Sequence, residues 1–221
     1  MLAAAERADL ILLGGGGLFH DYWGMNPANV LTGDYGSIEF YASFPLLAAL
    51  LDKPAAICAV GVGPLFSEAA RRWTRAAFEC ARAASVRDAE SLRLLIDLGV
   101  PPDKLRLSAD LAFALQPAAP ARAREILAAE GIPVNRPLVA VSLRHWEIGV
   151  DPAEWQAAVA RALDQFLDRH PGTVCFVPFQ TGEGELLDDL AVAERVRAGL
   201  RQPERAAVLR GAYSPPELAA L

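Results

Sequence analysis

Strand-like and helix-like segments alternate along the whole of this 221-residue chain, and the alternation predicts an α/β fold whose parallel sheets carry helices on both faces. Short apolar runs stop abruptly at glycines, as buried parallel strands do where their ligand-facing loops begin. The pattern also breaks in a proline-rich stretch and then restarts. That break predicts two domains, residues 1–117 and 137–221, joined by a linker at 118–136.

The elements follow in order. Asp9 to Leu13 is an apolar run closed by Gly14-Gly-Gly-Gly17 and reads as a strand. Phe40 to Leu51 reads as a helix, and Pro54 to Val60 as a strand ending at Gly61-Val-Gly-Pro64. Ala69, Ala70, Trp73, Ala76, Ala77, Cys80, Ala81 and Ala84 recur at helical spacing behind the N-cap candidate Ser67, so Trp73 is expected on a buried face. A strand at Ala84–Val86, a helix at Asp88–Leu98 closed by Gly99, and a strand at Leu105–Leu107 complete the first domain.

Pro117, Pro120, Pro133 and Pro137 bracket one short helical stretch, Ala121 to Ala129, within the expected linker. Beyond it, Leu138–Leu143 reads as a strand. Trp155, Ala158, Val159, Ala162, Leu163, Phe166 and Leu167 mark the buried face of a long helix. Val174–Val177 is a strand, Leu186–Leu200 a helix and Ala206–Leu209 a strand. Ser214-Pro-Pro-Glu217 is a capping box with proline at the first helical position.

Composition excludes several classes. With 53% hydrophobic residues, much of the excess being alanine, the chain can bury a sizeable core. No apolar stretch approaches the roughly 18–20 residues of a membrane span, and a start with Glu6, Arg7 and Asp9 ahead of a short apolar run is unlike a signal peptide. The expected location is therefore the cytoplasm, the inner face of the membrane included. A net charge of -6 without a basic run argues against nucleic acid as a partner. Cys58, Cys80 and Cys175 stand far apart in apolar patterns and read as reduced core residues. No Cys/His spacing suggests a metal and no cofactor motif is present.

Four segments follow strands and are candidates for a site: Gly14–Asp21, Gly61–Pro64, Arg87–Asp88 and Arg144–Trp146. The backbone of Gly14, Gly15, Gly16 and Gly17 either admits a ligand closely or simply turns the chain. Asp21 is a loop carboxylate, open to a role as general base or to plain solvation. Asp88 reads as a helix cap and Arg87 as a partner for a carboxylate, with anion binding the alternative. Arg144 ends an apolar strand, where a cation has little structural purpose and a planar guanidinium can grip a carboxylate or phosphate in two places. These sites are expected at carboxyl ends of parallel strands, around one cleft.

Taken in order, the motifs resemble those of the polysaccharide pyruvyl transferase family. The resemblance lies in Asp9-Leu-Ile-Leu-Leu-Gly-Gly-Gly-Gly-Leu-Phe-His-Asp21, Gly61-Val-Gly-Pro64, Ser85-Val-Arg-Asp88 followed by Glu90-Ser91, Leu98-Gly-Val100 and Ser108-Ala-Asp110. In the second half it continues through Val141-Ser-Leu-Arg144, Phe176-Val-Pro-Phe-Gln180 and Tyr213-Ser-Pro-Pro-Glu217. The nearest branch pyruvylates secondary cell-wall polysaccharide in bacteria. The resemblance implies two Rossmann-like domains in a glycosyltransferase-B-like arrangement. It also implies transfer of a carboxyvinyl unit from phosphoenolpyruvate to a polysaccharide or lipid-linked sugar, ending as a pyruvate ketal.

Phosphoenolpyruvate enters as donor substrate and no cofactor is expected. Arg144 is then the donor-binding cation and a catalytic group, with Arg87 second. Asp21 is the base or the partner of a sugar hydroxyl, and Gly14–Gly17 admit the acceptor. The family's opening strand is expected before Met1. Its later Arg-Leu-His segment, holding the general acid, is expected after Leu221. The chain thus reads as a fragment that need not be active alone, and the sequence allows a homo-oligomer. A nucleotide-sugar transferase of the same fold, or a non-catalytic sugar-binding relative, is the alternative.

Overall fold

The computed structural model describes residues 2–32, 36–182, 184 and 188–221. The chain divides into two compact units, Met1–Ala114 and Leu115–Leu221. Each is a parallel sheet with helices packed on it, the α/β arrangement that the alternation predicts and the Rossmann-like one that the family resemblance implies.

The first unit contains α1 (Leu2–Arg7), β1 (Ile11–Gly14), β2 (Gly17–Phe19), α2 (Ile38–Leu50), β3 (Ala55–Val62), α3 (Glu68–Cys80), β4 (Ala83–Val86), α4 (Ala89–Asp97) and β5 (Leu105–Leu107). Strand order is β1-β3-β4-β5, and β2 also pairs with β3. All of these pairs are parallel. Strand β3 is central and its side chains from Ala59 to Val62 are buried, which is why its sequence is an unbroken apolar run. Phe19, Ile38, Ile57, Val60, Phe78, Val86 and Leu95 form the heart of the core.

Helix α3 begins where Ser67 predicts, its hydroxyl accepting the N–H of Ala70 at 3.1 Å. Its buried face is Ala70, Thr74, Ala77 and Phe78. That face is rotated from the expected one. Alanine occurs on several sides of this helix, so small residues do not fix the rotation, and the large Phe78 takes the core position. Trp73 is only half-buried and lines a shallow depression of about 350 Å³ with Leu46, Ala69, Arg72 and Ala76.

The second unit contains α5 (Pro120–Ala129), β6 (Leu138–Val141), α6 (Pro152–Arg169), β7 (Thr173–Phe176), α7 (Asp189–Ala198), β8 (Ala206–Val208) and α8 (Pro215–Ala219). Its sheet is parallel with β7 in the middle. The predicted helix start at Leu186 and Leu187 lies outside the described residues. On α6 the buried positions are Gln156, Ala160, Asp164 and Leu167, and Trp155 is half-buried. The polar pair is held in place: Asp164 accepts the N–H of Arg201 at 3.0 Å and Gln156 accepts from Arg195 Nε at 3.2 Å.

Segment 118–136 does not behave as a linker. Ile126, Leu127 and Ile132 are buried against Cys175, Val177 and Leu209, so this stretch belongs to the core of the second unit. Glu130 fastens it further, accepting from Arg210 N at 3.1 Å, Gly211 N at 2.8 Å and the Tyr213 hydroxyl at 2.7 Å. The capping box forms as read, and Arg122 donates to Glu217 at 2.7 Å. Bonds from Ser214 and Arg122 draw the Glu217 carboxyl down to about 2. No helix among the described residues is long and apolar enough to cross a membrane.

Candidate functional site

In the first unit the loops at the carboxyl ends of β1, β3, β4 and β5 converge on Arg87. Gly15 and Gly16 adopt φ of 85° and 72°, a region that disfavours side chains. They turn the chain from β1 directly into β2. Gly61 then donates its N–H to Gly16 O at 2.8 Å, so the two glycine segments lie side by side. The Arg87 guanidinium covers both. A methyl group on Gly61 would stand 3.0 Å from its Nε, and one on Gly17 would stand 3.4 Å from its Nη2. Glycine at these positions makes room for the guanidinium.

Arg87 Nη1 donates to Asp110 at 2.6 Å, which fixes the group in place. The Ala112 N–H and this guanidinium hold the Asp110 carboxyl below its ordinary range. Nε and Nη2 have no hydrogen-bond partner among the described residues. The result is a preset cationic edge over a glycine floor, able to receive an anionic group or a sugar oxygen.

The Ser85-Val-Arg-Asp88 and Glu90-Ser91 motif builds this floor. Ser85 accepts the N–H of Ala59 at 2.9 Å, where β3 bulges and Ala59 takes φ of 51°. Ser91, buried on α4, accepts from Val62 N at 2.8 Å and donates to Val62 O at 3.3 Å. Asp88 caps α4 through Ser91 N at 2.7 Å, as its position after a strand suggests. Ser85, Arg87 and Ser91 thus brace the end of β3.

Asp21 has a different role from the base expected of it. It is buried, and its two oxygens accept Phe66 N at 2.7 Å and Ser67 N at 2.9 Å. Burial alone would push its carboxyl up, but these backbone bonds and the Ser67 hydroxyl outweigh burial and bring it below the usual value. A carboxylate stabilised in this way holds a loop and is a poor proton acceptor. Next to it, burial lowers the His20 ring below its ordinary value, opposed by the Asp21 charge.

In the second unit Arg144 follows β6 at its carboxyl end. It is exposed and has no ion pair or hydrogen bond to any described residue. His145 beside it is 5% exposed, with Nε2 at 3.4 Å from Glu147 and Nδ1 buried without a hydrogen-bond partner among the described residues. The loop after β7 is pinned by Asp189, which accepts Phe179 N at 3.1 Å and Gln180 N at 2.9 Å. Its other oxygen and Gln180 Oε1 are buried and have no hydrogen-bond partner among the described residues.

Buried polar atoms left unpaired are uncommon, and these lie on α7 and on the loops that follow β6 and β7. The sequence pattern gives Asp110, Ser85, Ser91 and Asp189 no bracing role. Adjacent aspartates at 188 and 189 look alike in sequence, yet Asp188 caps α7 through Ala191 N while Asp189 turns back to the preceding loop.

The family model for polysaccharide pyruvyl transferase matches residues 2–221. The chain belongs to this family. No curated protein matches it. Among solved structures, Anabaena HepE (Alr3699) in complex with UDP is 15% identical with a TM-score of 0.50, covering 97% of this chain and 52% of its own. The same protein with UDP and glucose gives 13% and 0.54, and with UDP-glucose 15% and 0.52, each over 98% of this chain and 52% of the other. At such identity the likeness shows the fold. This polysaccharide pyruvyl transferase family chain spans about half the length of the HepE chains it matches.

Proposed function

We propose that the protein carrying this chain transfers the carboxyvinyl group of phosphoenolpyruvate to two hydroxyls of a sugar in a polysaccharide or its lipid-linked precursor. Membership of the family over residues 2–221 is the observation that carries the reading. In the reaction, one sugar hydroxyl adds to C2 of the donor while its methylene carbon takes a proton. Phosphate leaves C2, and the second hydroxyl closes the ketal, its proton going to solvent. The products are the ketal and inorganic phosphate.

A donor bearing a carboxylate and a phosphate needs fixed cations. Arg144 supplies a guanidinium with no internal partner among the described residues, at a strand end where ligands of parallel sheets bind. Arg87, already shared with Asp110, serves better as a rigid wall over the glycine floor, on the acceptor side. HepE in complex with UDP-glucose supports a second reading, in which the donor is a nucleotide sugar.

The full-length protein separates the two readings. Ketal and phosphate formed from phosphoenolpyruvate support the first, whereas UDP released from UDP-glucose with no ketal overturns it. Arg144→Lys retains charge and loses the planar fork. It is expected to weaken the donor interaction about ten- to hundredfold, since a hydrogen bond to a charged group contributes roughly 1.5–3 kcal/mol. Steady-state kinetics with donor and acceptor varied separately read this, the acceptor constant staying nearly unchanged.

A further inference from the structure

Two loops at the carboxyl end of the first unit's sheet present a cluster of aromatic rings. Tyr22 and Trp23 follow β2, and Phe66 precedes α3. Trp23 is 52% and Phe66 70% exposed. The rings are neighbours: His20 lies 4.7 Å from Tyr22 and 5.3 Å from Trp23, and Tyr22 lies 6.3 Å from Phe66, centroid to centroid. The planes of Trp23 and Phe66 are steeply tilted to that of Tyr22.

The cluster is fixed before any ligand arrives. Gly63 donates to Phe19 O at 2.7 Å, Asp21 N to Pro64 O at 3.4 Å, and Phe66 N and Ser67 N to the Asp21 carboxylate. These bonds join the loops on which the rings stand. The four hydrogen bonds hold aromatic groups in water that burial elsewhere would favour, which points to a ligand that covers them.

We propose that Trp23 and Phe66, backed by Tyr22 and His20, form a stacking platform for a pyranose ring of the acceptor saccharide. The proposal rests on the reading that the protein acts on a polysaccharide, and it names the subsite. A pyranose presents one face of C–H groups, which suits the electron-rich face of an indole or phenyl ring. The same sugar carries hydroxyls that need polar groups, and the glycine floor with the Arg87 edge belongs to the same end of the sheet. A protein partner fits less well, since a stable interface needs roughly 800 Å² on each side and the cluster is a few rings on two short loops.

The test uses the full-length protein with oligosaccharides released from the envelope polysaccharide of the cells that make it. Saturation-transfer NMR without donor is expected to show contacts from sugar ring C–H protons in the parent protein, lost in Trp23→Ala and Phe66→Ala and retained in Trp23→Phe. In ketal-forming assays the alanine variants raise the acceptor KM roughly tenfold and leave the donor KM unchanged. Circular dichroism verifies that both variants fold. Absence of sugar contacts in the parent, or alanine variants that bind and react like it, overturns the platform. A parent that contacts the sugar yet makes no ketal from phosphoenolpyruvate overturns the donor assignment and leaves the platform standing.

Discussion

Asp21 commits both carboxylate oxygens to the backbone of residues 66 and 67, and its ionisation is thereby tied to folding. Its folded pKa lies below the ordinary 3.8. The stabilisation is therefore present above that value and disappears as pH falls through the lower folded one. Asp21→Asn keeps one acceptor and turns an amide toward a backbone N–H. It is expected to lose about 1–3 kcal/mol at neutral pH, with the gap to the parent narrowing in acid. Urea unfolding at pH 7 and near pH 3 measures both. Equal stability at neutral pH would return Asp21 to the list of candidate bases. In the sequence the same aspartate is indistinguishable from a catalytic one, because its partners are backbone groups 45 and 46 residues away.

Strand β3 and its braces form the element on which the candidate site depends, and two substitutions separate support from access. Ser91→Ala leaves the buried Val62 N–H without its partner and is expected to cost about 1–3 kcal/mol of stability. Gly61→Ala meets the end of a flexible side chain, Arg87, at 3.0 Å. It should change the melting temperature little and yet push the guanidinium off Asp110, lowering turnover; thermal denaturation and kinetics on the same preparation distinguish the two. A Gly61→Ala variant with full activity would show that the position of Arg87 is immaterial.

The end of β3 is legible in the sequence because a doubly buried parallel strand is written as an apolar run and its loop as glycine, whereas β1 is an equally apolar run at the sheet edge whose Leu12 is 62% exposed. Helix caps at Ser67, Asp88 and Ser214 are legible because they depend on residues at most three positions away. Strand β2 begins inside the glycine run that reads as a loop, and the rotation of α3 is hidden by alanine on several faces. The reach of Arg87 to Asp110 spans 23 residues, a distance over which local pattern carries no signal.

For the molecule as a whole, the second unit begins where the sequence suggests a connection. Prolines at 117, 120, 133 and 137 mark a boundary in composition, but Ile126, Leu127 and Ile132 supply core and Glu130 supplies bonds to the loop after β8. A chain of residues 115–221 is therefore expected to give a dispersed amide NMR spectrum, and one of residues 137–221 a collapsed one. A folded 137–221 would restore the linker reading. The middle strand of this unit also contains its own chemical clock. Cys175 is buried, and burial, with the Glu130 charge nearby, pushes its thiol up to about 11. Alkylating reagents attack the thiolate, so Cys175 reacts only when β7 is uncovered, whereas half-buried Cys58 and Cys80 need far less opening. The mass of alkylated protein over time then counts how often the second sheet comes apart, with neither a ligand nor an assay of activity.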